Sequence, residues 1–131
     1  MAKTINVKFA TAINCIDGRT QLPVIDYLKS RFGVDYVDII TEPAPAKIIV
    51  EAKSDSKLDS IQQRLRISQE KHGSKHLAVV AHQDCAGNPV GKDIQLEQVR
   101  RSLRTIQSWG FKGALLGLWV DENWMIQEVA E

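Results

Sequence analysis

The chain has 131 residues, of which 44% are hydrophobic and 25% charged, with 17 Lys and Arg against 16 Asp and Glu. This length suits one domain, expected over residues 1–131, and the composition is that of a globular protein rather than a disordered or fibrous one. A net charge of +1 with interleaved signs offers no basic field for nucleic acid, and no apolar run approaches the ~20 residues of a membrane span. The opening "MAKTINVKFATAINC" carries Lys3 and Lys8 inside its apolar stretch, so it lacks the apolar core of a signal peptide and the expected compartment is the cytoplasm. There thiols stay reduced, and the two cysteines, Cys15 and Cys85, are not expected to pair.

In chain order, "INVKFATAINC" is β-branched and apolar and reads as a buried strand ending near Asn14. "TQLPVIDYLKSRFG" reads as a helix. Thr20 is a capping residue, Pro23 falls in the first turn, Ile25, Leu28 and Phe32 share a face, and Gly33 stops it. "VDYVDII" is a second strand. The two prolines of "TEPAPAK" point to a loop, and "IIVEA" fits either a short strand or the first turn of a helix. "SDSKLDSIQQRLRISQEKHG" has Ser54, Asp55 and Ser56 for capping, Leu58, Ile61, Leu65 and Ser68 at helical spacing, and Gly73 as terminator. "HLAVVAH" is a fully buried strand, and "CAGNPVGK" a turn. Asp93 caps a helix whose apolar face is Ile94, Val99, Leu103 and Ile106 and which ends at Gly110. "ALLGLWV" and "WMIQEV", joined by "DEN", form a closing strand pair.

Strands alternating with helices predict an α/β fold: a doubly wound, mostly parallel sheet of order 2-1-3-4 with an added antiparallel edge strand and helices on both faces. In such a sheet the crevice opens between strands 1 and 3 at their carboxyl ends. Cys15-Ile16-Asp17-Gly18-Arg19 ends strand 1, and His82-Gln83-Asp84-Cys85 ends strand 3. Two thiols and an imidazole meeting there suit Zn2+, with Asp17 or water in the fourth position, far better than Mg2+ or Ca2+, which take oxygen shells. Arg19 beside Asp17 keeps that carboxylate ionised at neutral pH. It could close the zinc shell or turn to Arg19 and leave the fourth position to water, whose pKa on zinc falls to ~7 from ~15.7 in bulk.

C-x-D-x-R after the first strand and H-x-x-C after the third resemble the β-class carbonic anhydrases. The likeness runs from residue 5 to about residue 129 and includes "VDYVDIITEPAPAK" and "LLGLWVDENWMIQEV". It implies that Cys15, His82 and Cys85 bind zinc and that Asp17 and Arg19 are a gating pair, with Asp17 a fourth ligand in a closed form. The implied reaction is reversible hydration of CO2 to bicarbonate by a zinc-bound hydroxide. The implied assembly is a homo-oligomer, dimer or higher. Departures from the family are Gly18 in place of serine, Cys85-Ala86-Gly87 in place of Cys-Gly, and no glutamine ahead of Cys15.

Other readings compete with this one. They are a zinc-binding protein of the same fold without activity, a hydrolase of a CO2 analogue such as carbonyl sulfide, and an anion-binding module using Arg19 without metal. At the level of single residues, Cys15, His82 and Cys85 could be two buried thiols and a hydrogen-bonded histidine, and Asp17 and Arg19 a structural ion pair. Gln83 and Asp84 read as solvated turn residues, His72 and His76 as helix-end surface groups rather than proton shuttles, and Trp109, Trp119 and Trp124 as core or interface anchors. Cysteine phosphatases need five residues between Cys and Arg, against three here, and a thioredoxin site needs C-x-x-C.

Overall fold

The computed structural model describes residues 7–51 and 56–130. Its five strands are β1 (Phe9–Cys15), β2 (Tyr36–Glu42), β3 (His76–His82), β4 (Ala114–Val120) and β5 (Ile126–Val129). They lie in one sheet in the order β2-β1-β3-β4-β5, parallel except for the antiparallel β4–β5 pair. The predicted architecture is therefore the observed one.

Alternation along the strands divides the core between the two faces. On one face Ala12, Ala78, Val80, Leu118 and Val120 meet Val24 and Leu28 of α1 (Gln21–Phe32). On the other, Ile13, Ile40, Leu77, Val79 and Ala81 meet α2 (Pro45–Glu51), α3 (Ser56–Lys71) and α4 (Lys92–Ser108). Each fully buried Val, Leu or Ile contributes about 1.5–3 kcal/mol of apolar transfer. A Cβ on Gly117 would stand 2.7 Å from Val99 Cγ1, so α4 lies close against β4. Gly33 ends α1 in a left-handed conformation, φ 64°, its N–H donating to the Lys29 carbonyl at 2.9 Å.

Several local expectations are corrected. "TEPAPAK" is not wholly a loop: α2 starts at Pro45 and runs through "IIVE", because proline at the first helical position gives up only an N–H that would lack a partner anyway. Thr20 stands at the α1 N-cap without a capping side-chain bond; its hydroxyl donates back to the Asp17 carbonyl at 2.8 Å. Asp93 lies inside the first turn of α4, where the cap is Gly91. Ile94 is 55% exposed, and Gln95 turns inward with Val99, Ser102, Leu103 and Ile106; the step from 94 to 99 is out of phase with a helical face, whereas 95 to 99 is in phase. β5 begins at Ile126, with Trp124 in the preceding turn. Ser54 and Asp55 fall outside the described residues.

Candidate metal centre

The parallel register carries β1 and β3 side by side to the same end of the sheet, where Cys15 and His82 are their last residues. Beyond β1 the chain turns sharply through side-chain bonds. Buried Asn14 accepts from the Cys15 N–H at 2.9 Å, and Gln21 Nε2 donates to the carbonyls of Cys15, 2.7 Å, and Asp17, 3.1 Å. Asp17 then caps a 3-10 turn over Gly18–Thr20 by accepting from the Arg19 N–H at 2.9 Å. Beyond β3, the Asn88 N–H closes a turn on the Cys85 carbonyl at 3.2 Å.

These turns bring Cys15, His82 and Cys85 together, each buried, with one ligating atom from each within 4.8 Å of the others. The two sulfurs are 3.9 Å apart; sulfurs bound at ~2.3 Å to a tetrahedral ion stand about 3.8 Å apart. His82 Nδ1 lies 2.7 Å from the Gln83 carbonyl, which fixes the proton on Nδ1 and leaves the Nε2 lone pair free, the tautomer a metal requires. Nε2 is buried with no hydrogen-bond partner. A buried acceptor left unpaired costs about 1–3 kcal/mol, and a cation between the two thiols would meet that need. The donor set fits zinc.

Electrostatics point the same way. Burial pushes the Cys15 thiol up, but the adjacent His82 imidazole and the backbone N–H groups of Ala44 and Asp17 outweigh it and bring the thiol to about 7. For His82, burial favours the neutral ring, and the neighbouring Cys15, the Gln83 carbonyl and Asp17 together leave its pKa above the ordinary value. Burial, then the Cys15 charge, pushes Cys85 up. One thiolate thus forms readily, and the second is favoured once a cation is present.

Asp17 is not in that cluster. Both its oxygens are taken by Arg19: Nε reaches Oδ1 at 3.0 Å and Oδ2 at 3.2 Å, and Nη2 reaches Oδ2 at 2.7 Å. The Arg19 fork, working against partial burial, holds the carboxyl down at about 2, and the same pairing raises Arg19. The predicted ion pair is present, and Asp17 is not among the clustered ligating groups.

Four further residues lie at the site: Asp84 and Trp124, which the sequence suggests as a solvated turn residue and a core or interface anchor, and Asn88 and Gln95, which it does not single out. Asp84 Oδ2 lies 3.3 Å from Arg19 Nη1, and the Trp124 ring centroid is 4.5 Å from the Arg19 guanidinium carbon. Buried Asn88 and Gln95 line, with Cys15, His82 and Cys85, a cavity of about 10 Å³, room for about one water-sized sphere. The phase of α4 was the one signal available for Gln95. Among the described residues, the non-glycine residues with left-handed backbones are Ala44, Asp84 and Trp124, at φ 54°, 60° and 59°. Ala44 lines the cavity, and the other two touch Arg19; such outliers concentrate at functional sites. His72 and His76, by contrast, lie at the opposite end of the sheet, beyond α3 and at the start of β3.

Residues 5–130 match the family described as "Putative carbonic anhydrase". The chain belongs to this carbonic anhydrase family. Among solved structures it resembles the tetrameric β-carbonic anhydrases of the filamentous ascomycete Sordaria macrospora, with a TM-score of 0.55 and 14% identity over 95% of this chain and 81% of that one. The β-carbonic anhydrase CafA of the fungal pathogen Aspergillus fumigatus gives a TM-score of 0.49 at 17% identity over 95% and 77% of the two chains. No curated protein matches significantly. At 14% identity the Sordaria likeness establishes the fold of this family member, a β-carbonic anhydrase fold.

Proposed function

We propose that this chain is a zinc-dependent carbonic anhydrase that catalyses the reversible hydration of CO2 to bicarbonate, with Cys15, His82 and Cys85 as metal ligands and Asp17 and Arg19 as the catalytic pair beside them. The observation that carries this reading is His82 Nε2, buried, unpartnered and within 4.8 Å of two cysteine sulfurs. Zinc bound there supplies a Lewis acid that brings the pKa of a coordinated water to ~7. Gln83 holds the imidazole by its carbonyl so that Nε2 faces the thiols. Asp17, kept ionised by Arg19, retains acceptor capacity on its two oxygens and can take a proton-bearing neighbour as a hydrogen-bond donor, which orients that group without itself being protonated. Arg19 supplies positive charge where a bicarbonate product develops its negative one.

The test is twofold. Protein purified without added zinc should contain or take up about one zinc per chain, and stopped-flow CO2 hydration should exceed the buffer rate between pH 7 and 9. Uptake below about a tenth of an ion per chain would end the zinc reading. The small cavity favours one competing reading, a zinc-binding protein of this fold with no turnover; full zinc loading with no rate above buffer would select it.

The assembly we propose is a homo-oligomer. Ile16, Leu22 and Met125 are large apolar side chains exposed by 62%, 69% and 63% on the segments that carry the site, and the Sordaria enzymes are tetrameric. A sedimentation mass of one chain would contradict it. No helix among the described residues is long and apolar enough to cross a membrane, and we place the protein in the cytoplasm.

A further inference from the structure

Arg19 is held from three directions, and only one of them is Asp17. Asp84, in the turn after β3, presents its carboxylate to Nη1 and its carbonyl to Nη2, each at 3.3 Å. Trp124, in the turn between β4 and β5, lies against the guanidinium at 4.5 Å. Its position is built by Asp121: Oδ1 accepts the N–H groups of Asn123 at 2.9 Å and Met125 at 3.0 Å, Oδ2 accepts from Gln127 Nε2 at 3.1 Å, and the Asp121 carbonyl accepts from the Trp124 N–H at 2.9 Å. The indole also packs against the α1-side core. Both Asp84 and Trp124 adopt the left-handed conformation that side chains other than Gly, Asn and Asp rarely take.

We propose that Trp124 and Asp84 are positioning residues, which fix the plane of the Arg19 guanidinium so that it holds both oxygens of Asp17 away from the metal ligands. The proposal rests on the functional reading above. A planar guanidinium meets a carboxylate fork and an aromatic face with fixed geometry. The Arg19 side chain is 48% exposed, so without these contacts the pair could rotate as a unit. Contacts from three separate segments leave one plane. In that plane both Asp17 oxygens stay engaged by Arg19, so Asp17 accepts hydrogen bonds without taking the fourth ligand position, which stays open to solvent or substrate. Without the ring, Arg19 moves and Asp17 is released to compete for that position.

Two readouts test this. In metal-free protein, hydrogen exchange at the Arg19 Nε–H, followed by NMR, should quicken about fivefold in Trp124→Ala and stay near the native rate in Trp124→Phe, which keeps an aromatic face. In cobalt(II)-loaded protein, thiocyanate binding read from the visible spectrum should weaken about fivefold in Trp124→Ala, with cobalt content unchanged, and return to the native value when Asp17→Ala is added. Unchanged Arg19 exchange in folded Trp124→Ala overturns the proposal, as does weakened thiocyanate binding that Asp17→Ala fails to restore. Native protein that takes up no cobalt while its Arg19 exchange responds as expected overturns the metal reading and leaves the clamp standing.

Discussion

Two buried polar clusters hang from one face of β1, on either side of Ile13, and they differ in what they leave undone. At Thr11, the hydroxyl lies 2.6 Å from both Ser68 Oγ and Ser74 Oγ; Ser68 donates to Asp38 at 2.6 Å, and Ser74 donates to the His76 carbonyl at 3.2 Å. That cluster is closed, each hydroxyl meeting another protein group, and it joins β1 and β2 to α3. At Cys15, the two thiols share one long S–H···S contact of 3.9 Å, and the neighbouring His82 Nε2 has no hydrogen-bond partner. Burying polar groups is tolerated when they are satisfied and costly when they are not, so the first cluster stabilises the fold and the second keeps an unmet acceptor that a metal ion could satisfy. His76 Nδ1 is buried without a partner too, but that ring stacks on Phe32 at 4.2 Å, and among the described residues no set of ligating atoms gathers around it.

The contrast can be broken most severely at its open end. Cys85→Ala should lower zinc content from about one ion per chain to below about a tenth, because two remaining protein ligands are too few for a structural-grade site; metal analysis after dialysis checks it, and full retention would refute the ligand assignment. The closed end should behave in the opposite way. Thr11→Val keeps the shape, takes a partner from Ser68 and Ser74, and should cost about 1–3 kcal/mol in urea unfolding while zinc content is unaltered. A loss of zinc with no loss of stability would reverse the roles assigned to the two clusters.

The smallest effect concerns a third satisfied group, Asp121. The Met125 N–H, followed by that of Asn123 and the Gln127 amide, holds its carboxyl below the ordinary aspartate value. The unfolded chain therefore takes up the proton first on acidification. The resulting stabilisation is complete above the usual value of about 3.9 and disappears as the pH falls through the lower folded value. Asp121→Asn should be less stable than the native chain at pH 7 and should converge with it as the pH falls below the ordinary aspartate value; a urea-midpoint difference that stays constant through that fall would contradict the assignment.

Strand order and the meeting of Cys15, His82 and Cys85 were legible in the sequence because both depend on short patterns. Buried strands alternate with helices, and C-x-D-x-R and H-x-x-C end the two strands that flank the crevice. What escaped was set by contacts distant in sequence or by backbone conformation. Asp84 and Trp124 are in turns, where local chemistry suggests only solvent or packing, and their common partner Arg19 is 65 residues from Asp84. The helix at Pro45 was hidden because a proline pair reads as a break, although one proline can open a helix. Gln95 was hidden by its apolar neighbour Ile94, which suggested the wrong face for α4.

Cys15 and Cys85 are 70 positions apart and meet only when β1 and β3 are paired. The unfolded chain therefore retains only the local His82–Cys85 pair, a poor chelator by comparison. A metal that prefers the folded form acts as a mass-action weight on the folding equilibrium, adding about 4.1 kcal/mol when its free concentration is a thousand times Kd. On the proposed zinc reading, the availability of that ion would set how much of the protein is folded.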